Sequence, residues 1–424
     1  MSDVSINSAP RGASLSTQSW FWLIVCAGMV IRIVWAGFIP VEPVSDSSAY
    51  NTFAWNIVNH GVYGWNANEP GAYWPVGTSA VAALTYMVLG DSFLGIVVLN
   101  LIASFATMYF INRLGDIYFG RPYGLVATAI IAFWPNLILF TTILSSELYF
   151  IALVTAGWFF WERREGKVWV NLALCGLIWG LGSYMRPVIL FLPAAVAIAT
   201  ATISRKFVQT GVRCIVVTLL IVLVVSPWTY RNYLVFGEPV LVSTNFGPNF
   251  WMGNNPESTG GYMELPEWVN GMSETERATA LSAIAKGYIA ENPIRFATDT
   301  VVKAVKLHSR ETIGVAWNEA AIESKLGAIG PTLFKLVSTG YWYAVVALAL
   351  AGAAVLFMQG GFFGLFHPAV GGWAYFTLLH AIIVVEDRYH MASTPFIAML
   401  AALSLGKAGQ HYCNRKRSAV GKAA

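Results

Sequence analysis

An all-α polytopic membrane protein is the fold class this sequence predicts, on three observations. Apolar residues make up 56% of the 424 positions and charged residues only 11%, where soluble domains carry about 25% charged residues. Apolar runs of roughly 20 residues, the length that crosses a bilayer, recur along the chain. Between these runs, arginines and lysines cluster in every second connection, as the bias of positive charge toward the cytoplasm requires.

Ten segments qualify as spans: 19–39, 92–111, 122–141, 145–161, 168–184, 188–204, 212–229, 333–357, 364–385 and 391–406. Arg113 and Arg121 flank one turn. Arg163, Arg164 and Lys167 fill a second, and Arg205, Lys206 and Arg213 a third. Lys407, Arg415, Lys416 and Arg417 lie in the C-terminal tail. These clusters place both ends in the cytoplasm, with 40–91, 142–144, 185–187, 230–332 and 386–390 facing outward. The expected organisation is a polar, disordered tail over 1–18 and a membrane module over 19–229 that includes the outer loop 40–91. A long outer loop over 230–332, C-terminal spans over 333–406 and a basic tail over 407–424 complete it.

The run from Trp20 to Pro40 is too long for a signal-peptide core and is read as a retained span. After it, Ser45 to Gly64 predicts a short amphipathic helix with Tyr50, Phe53, Ala54, Ile57 and Val58 on one face, ended by His60-Gly61. Such a helix lies in the interface plane. The apolar piece from Tyr73 to Leu89 is read as re-entrant or interfacial, because counting it as a span would turn Arg113 and Arg163 outward. In the second long loop, Ser273 and Glu276 predict a capping box. The helix it starts carries Leu281, Ile284 and Tyr288 on one face and stops before Asn292-Pro293. A further helical stretch runs from Ile294 to Glu311.

Composition excludes several classes. Four cysteines, two in spans and two on the cytoplasmic side, give no disulfide framework. A net charge of +4 without a basic stripe gives no reason to expect nucleic acid. The six histidines show no paired spacing, so no metal site is read from them.

Chemistry concentrates in the outward connections. Asp46 stands where the first span emerges, either as a general base on an acceptor hydroxyl or as the cap of its helix. Glu147, in TTILSSELYF, faces a cavity or partner, or sits at a helix N-terminus where the dipole favours an acid. Arg186 in SYMRPV, Arg231 after Pro227-Trp228, Arg310, and Arg388 in EDRYH run against the positive-inside trend. They are candidates to bind a phosphate, the alternative being snorkelling or local ion pairing. Arg32, inside the first span, is a weaker candidate for the same cavity; Lys303 and Lys306 either reach a lipid phosphate with Arg310 or form a solvated basic face, the second being the preferred reading. Asn245, Asn249, Trp251 and Asn254, in STNFGPNFWMGNNPESTGGY, mix amides with flat rings in the manner a sugar requires, or form an ordered Asn-rich loop. Tyr50 and Tyr73 complete the sugar or acceptor candidates. Asp46 and Glu147 have the oxygens to share a divalent cation, Mg or Mn, although no ligand spacing demands one; no cofactor is otherwise expected.

The pieces SDSSAYNTFAWNIVNHGVYG, AYWPVGTSAVAALTYMVLGDS, LSSELYFIAL, SYMRPVILFLP, PWTYRNYLVFGEPVLVSTNFGPNFWMGNNP and DRYHMASTPFIAML, in that order, resemble the GT-C glycosyltransferases. The similarity is to bacterial relatives of dolichyl-phosphate-mannose protein mannosyltransferase and aminoarabinose transferase. It implies a GT-C architecture of about ten transmembrane helices, with interfacial helices in the first outer loop and a long second one. It also implies that Asp46 is the catalytic acid of that first loop, that Glu147 is the second family acid, and that Arg186 and Arg388 are family arginines. Ser47 departs from the pattern, because many relatives carry a second acid after the first.

The expected function is transfer of a sugar from a polyprenyl-phosphate donor to an acceptor hydroxyl, with inversion and Asp46 as base. It would occur on the outer face of a bacterial cytoplasmic membrane, facing the periplasm or exterior. The acceptor is a glycolipid, a polysaccharide or a protein, and membrane lipids are the remaining partners. Two rivals share these features: a flippase or transporter for lipid-linked sugars, and a glycan polymerase or ligase using a pyrophosphate-linked donor. A flippase moves its substrate without cleaving it, and a polymerase or ligase binds a longer glycan.

Overall fold

The computed structural model describes residues 16–423, with side chains through residue 409. The tail expected over 1–18 therefore lies, up to residue 15, outside the described residues; Thr17 already begins a helix. In order, the first half comprises α1 (Thr17–Phe38), α2 (Asp46–His60), a ribbon of β1 (Gly64–Asn66) and β2 (Glu69–Pro70), α3 (Gly77–Leu89), α4 (Leu94–Phe119), α5 (Arg121–Ala132), α6 (Pro135–Leu139), α7 (Glu147–Glu162), α8 (Val168–Met185), α9 (Leu192–Ser204) and α10 (Phe207–Phe236). The second half comprises α11 (Phe246–Gly253), α12 (Glu274–Glu291), α13 (Pro293–Leu307), α14 (Ile313–Ala316), α15 (Glu319–Leu326), α16 (Gly330–Gly360), α17 (Pro368–Ile383) and α18 (Thr394–Ala423).

Every expected span coincides with helix. Among the described residues, seven helical segments are long and apolar enough to cross a membrane, and the bent pair Arg121–Ala132 and Pro135–Thr142 makes an eighth if it is one span. The helices α7 and α17 are shorter, at 16 residues each. With 13 residues, α3 is about 20 Å long, too short to cross a hydrocarbon layer of about 30 Å. Two boundaries differ from expectation. The helix α10 continues through Pro227 to Phe236, so the second long loop begins later than residue 230. The backbone of α18 runs to Ala423, so the stretch 407–424 is helical as far as residue 423. The charges of the expected basic tail beyond 409, and Cys413, lie outside the described side chains.

The interior is a continuous apolar core in which α4, α5, α7, α8, α16 and α18 pack on one another. From Phe396 to Ala402 every residue of α18 is buried, so this helix runs through the middle. Trp134, Trp158, Trp161, Trp179 and Trp342 fill the space around it. The chain breaks between α5 and α6 because Pro135 has no N–H to continue the helix; the two axes meet at 57°. Arg32 repairs that break: buried in α1, it donates to Ala132 O at 2.7 Å, Ile131 O at 3.1 Å and its own Gly28 O at 3.0 Å. These are carbonyls that the end of a helix leaves without partners. A cation there also complements the helix dipole. Arg32 is thus a structural cap, and its partners are backbone carbonyls rather than a site cavity.

At one end the two long loops close over the helices. On α2, Tyr50 and Ala54 pack against Ala82, Ala83 and Tyr86 of α3. Gly61, at φ +67°, ends α2 as expected. The capping box at Ser273 forms with both of its bonds. The buried face of α12 is Thr275, Leu281 and Ala285, and Ile284 is exposed, one turn position away from the expected stripe. Glu274 fastens the two loops together: its Oε2 accepts from Ala72 N at 2.8 Å and from the Thr244 hydroxyl at 3.0 Å.

Candidate active site

Four connections at the same end of the helices each deliver one charged side chain to the same place. Asp46 comes from the start of α2, Glu147 from the start of α7, Arg186 from the end of α8, and Arg388 from the turn between α17 and α18. Arg388 Nη2 pairs with Asp46 Oδ2, while its Nη1 lies 3.5 Å from Glu147 Oε1. Glu147 Oε1 also pairs with Arg186, whose Nε donates to the Ser146 hydroxyl at 3.0 Å. The order in space is Asp46, Arg388, Glu147, Arg186: alternating signs, with Arg388 shared by two carboxylates. Glu147 is buried, and Asp46 is the most open of the four at 25% side-chain exposure. The cluster thus has a sealed end and an accessible end.

The local chain explains the placement. Ser45 precedes Asp46 at φ 52°, ψ −129°, a conformation that side chains other than glycine rarely adopt. Asp46 makes no cap with its side chain; it is the first residue of the helix, and its carboxylate points to Arg388 instead. The Ser47 hydroxyl donates to Leu144 O at 2.7 Å, tying the start of α2 to the connection that leads into Glu147. A second acid at position 47 would lack this bond, which gives the departure at Ser47 a structural meaning.

Aromatic rings hold the guanidiniums. Arg388 lies 4.8 Å from the Trp317 ring and 5.5 Å from that of Tyr389, and Arg186 lies 5.4 Å from Tyr389 and 5.9 Å from Phe150. Cations over ring faces are stabilised by the ring quadrupole. Burial alone would weaken the hold of Arg388 on its proton, but Asp46 and Glu147 outweigh it and push the pKa well above the usual arginine value. Tyr50 stands beside all four charges. Burial first, then Asp46, raises its phenol well above the ordinary range, so its hydroxyl stays protonated. Tyr73 is raised to about 12, chiefly by burial with Arg277 opposing and Asp46 adding to it. Both tyrosines therefore border the cluster.

The other candidates lie elsewhere. Arg231 donates to Gly71 O at 2.8 Å, Asn232 Oδ1 at 3.0 Å and Tyr63 O at 3.3 Å, and packs over Trp228; it fastens α10 to the first loop and makes no bond to the cluster. Arg310 is exposed, 3.7 Å from Asp387 Oδ2. Asn254 is a buried structural amide that donates to Phe250 O, Ile382 O and Ile383 O. Lys303, expected on a solvated face, is 2% exposed. Its Nζ donates to Gly253 O at 3.0 Å and Asn254 Oδ1 at 3.1 Å, and burial lowers its pKa to about 8. Asn245 accepts from the Ser243 hydroxyl at 2.9 Å at the start of α11, and Asn249 and Trp251 are half-buried on that helix. The expected Asn-rich loop is thus partly a helix packed on α12 and α17.

Sequence reasoning missed Trp317 and Tyr389, and also a buried pair behind the site, Glu311 and His390. Tyr389 and His390 sit in EDRYH beside Arg388, where the motif itself was a signal; Trp317 and Glu311 offer none. Among the described residues no group of three or more His, Cys, Asp or Glu is placed to hold a metal ion. Of the two site carboxylates, Glu147 Oε2 is buried and has no hydrogen-bond partner, so one oxygen remains unclaimed by arginine.

Residues 74–230 match the sequence model of the family described as dolichyl-phosphate-mannose-protein mannosyltransferase. That match covers 157 of the 424 residues, a little over a third of the chain, and the likeness to solved structures is one of fold. In solved structures the fold resembles the Archaeoglobus fulgidus oligosaccharyltransferase with Zn and sulfate, at TM-score 0.57 and 12% identity, over 96% of this chain and 51% of that one. It resembles AglB of the same organism with an inhibitory peptide and a dolichol-phosphate at TM-score 0.55 and 11% identity, over 96% and 52%. ArnT from Cupriavidus metallidurans bound to undecaprenyl phosphate overlaps at TM-score 0.48 and 13% identity, over 92% and 79%. The chain thus spans about half the length of the oligosaccharyltransferases it resembles. A sequence search of curated proteins returns no match.

Proposed function

We propose that this enzyme transfers a sugar from a polyprenyl-phosphate donor to an acceptor hydroxyl, with inversion, at the outer face of a bacterial cytoplasmic membrane. The observation that carries the reading is Arg388, held between Asp46 and Glu147. A guanidinium shared by two carboxylates is ready to exchange one of them for a phosphate, which it binds in the same bidentate manner. As the donor phosphate takes Arg388, the Asp46 carboxylate is released at the open end of the cluster, beside the acceptor. Donor binding and activation of the base are then one event.

The step balances as follows. The acceptor oxygen attacks the anomeric carbon and its proton passes to Asp46. The bond from that carbon to the phosphate oxygen breaks, and the polyprenyl phosphate leaves with its charge held by Arg388 and Arg186. Because the leaving group is already a phosphate, no second carboxylic acid is needed on that side, unlike glycoside hydrolysis. Attack opposite the leaving group inverts the anomeric centre. Tyr50 and Tyr73, both protonated, would donate to sugar hydroxyls. A Mg or Mn ion would take the carboxylate oxygens that the arginines leave, Glu147 Oε2 first, and would add positive charge for the phosphate; the residues' own roles stand without it.

Three things support a lipid-carried donor on the outer face. The site lies at the end of the spans opposite the clustered arginines of 113–121, 163–167 and 205–213. Nucleotide sugars do not reach that side. The Archaeoglobus protein of like fold binds a dolichol-phosphate. The test uses purified enzyme in lipid nanodiscs with a panel of undecaprenyl-phosphate monosaccharides labelled in the sugar. Release of undecaprenyl phosphate with a product of opposite anomeric configuration is expected. Label crossing a vesicle bilayer with its sugar–phosphate bond intact would instead make the protein a flippase.

A further inference from the structure

The turn that carries Arg388 to Asp46 also walls a second cavity. It has a volume of about 410 Å³ and is lined in part by Tyr262, Lys306, Ser309, Arg310, Glu386 and Asp387. That size falls within the range of small-ligand sites, roughly 300–1,000 Å³. Its chemistry does not fit a phosphate. Two cations face two carboxylates, and they are already partly engaged: Arg310 Nε is 3.7 Å from Asp387 Oδ2, and Lys306 Nζ donates to Thr259 O at 2.9 Å. Glu386 Oε1 accepts from Tyr262 N at 2.9 Å. The walls are therefore neutral in sum but dense in donors and acceptors.

Two further features narrow the ligand. Tyr262 is 68% exposed, offering a flat apolar face. Asp387 is buried, with Oδ2 accepting from both Thr312 N at 3.0 Å and the Thr312 hydroxyl at 2.7 Å, while its Oδ1 has no partner. A neutral molecule with hydroxyl edges and a C–H face meets all of these demands, and that molecule is a sugar. We infer that this cavity binds the acceptor as a neutral glycoside, and that the single step along the chain from Asp387 to Arg388 brings its reactive hydroxyl toward Asp46. The inference rests on the reading of Asp46 and Arg388 as the transfer site.

The test measures saturation-transfer NMR on the full chain in lipid nanodiscs, where no sugar-headed detergent competes. The probes are methyl α-mannoside, methyl β-glucoside, methyl β-galactoside and methyl N-acetyl-β-glucosaminide, with inorganic phosphate as competitor. At least one glycoside is expected to bind. Its signal should fall by about fivefold or more in Tyr262→Ala, as expected for loss of a stacking face, and in Arg310→Met, both changes at exposed positions. It should persist in excess phosphate. Undecaprenyl phosphate binding, measured in parallel, should be unchanged in Tyr262→Ala and lost in Arg388→Ala; failure of that arm speaks against the transfer site and not against the cavity. No glycoside signal in the unaltered chain, a signal that survives Tyr262→Ala, or displacement by phosphate would overturn the proposal, the last by making the cavity an anion site.

Discussion

Asp46 and Arg388 lie 342 positions apart in the chain and form one ion pair. Nothing local holds them together. The pair depends on α2 being docked on α3 and on the turn 388–393 being fixed against the interior, so it reports whether this whole end of the molecule is assembled.

The first prediction concerns that pair. Arg388→Lys keeps the charge but cannot reach two carboxylates and a phosphate in one plane. Transfer is expected to fall by about 100-fold or more, the scale of losing an oriented electrostatic donor. Asp46→Asn should fall at least as far while still binding undecaprenyl phosphate. Single-turnover transfer and lipid binding, measured side by side, separate the two. Equal loss of lipid binding in both variants would speak against distinct roles.

Glu147 carries the second prediction. It is buried between two arginines, so removing its charge leaves both poorly compensated. Glu147→Gln is expected to cost about 3–5 kcal/mol of stability, read as a lower melting temperature, and to lower activity. Glu147→Gln combined with Arg186→Met should recover part of the stability without recovering transfer. Thermal unfolding of the four proteins forms a double-mutant cycle. Additive losses would mean that the pair is not coupled.

Much of this site was legible in the sequence, for reasons that can be named. Charges at the ends of apolar runs are expensive, so Asp46, Glu147, Arg186 and Arg388 stood out against their surroundings. The same logic could not separate them from Arg231 and Arg32, which are equally costly but are satisfied by backbone carbonyls. Hydropathy counts charges and cannot see a helix break that needs a cap. The Asn-rich stretch misled for a related reason. Amides that suit a sugar suit a carbonyl equally well, and Asn254 spends its donors on the end of α17. The sequence places Glu311 at the end of a helical stretch that in fact stops at Leu307, and the path that brings it and Trp317 inward is set only by tertiary packing.

A third prediction follows from His308, which caps α13. Its Nε2 accepts from Trp373 Nε1 at 3.3 Å and faces the Thr377 hydroxyl at 3.0 Å, and its ring stacks on Trp342. Burial, with His390 adding to it, lowers its pKa to about 3 from the usual 6.5. Between those values the unfolded chain binds a proton that the folded one refuses, so stability falls as pH falls through this window. The slope from this residue is at most about 1.4 kcal/mol per pH unit. His308→Gln keeps an acceptor and does not titrate. Melting temperatures of the two proteins should diverge below pH 6.5, with the variant losing less; parallel curves would rule out His308 as the source.

The last prediction concerns Glu311 and His390, both fully buried behind the turn that holds Arg388. His390 Nδ1 faces Leu307 O at 2.9 Å and must carry a hydrogen, because a carbonyl only accepts. Its Nε2 faces Glu311 Oε1 at 3.1 Å, so one proton lies between imidazole and carboxyl. Trp134 Nε1 donates to both carboxyl oxygens at 3.0 Å. Burial raises the Glu311 pKa, with His390 and Trp134 pulling it back. Glu311→Gln preserves this geometry without a charge: the amide donates to Nε2 and its oxygen accepts from Trp134. It is expected to fold and to transfer sugar at close to the unaltered rate. His390→Phe fills the space but strands the carboxyl, at a cost of about 3–5 kcal/mol if it stays ionised. Because residues 389–393 form the turn that carries Arg388, the donor-binding arginine, donor affinity should fall together with turnover. The double variant Glu311→Gln, His390→Phe removes the stranded charge and should regain stability relative to His390→Phe alone. Melting curves and donor titrations on the three variants decide the matter. A His390→Phe protein as stable and active as the original would mean that the pair does not brace the turn.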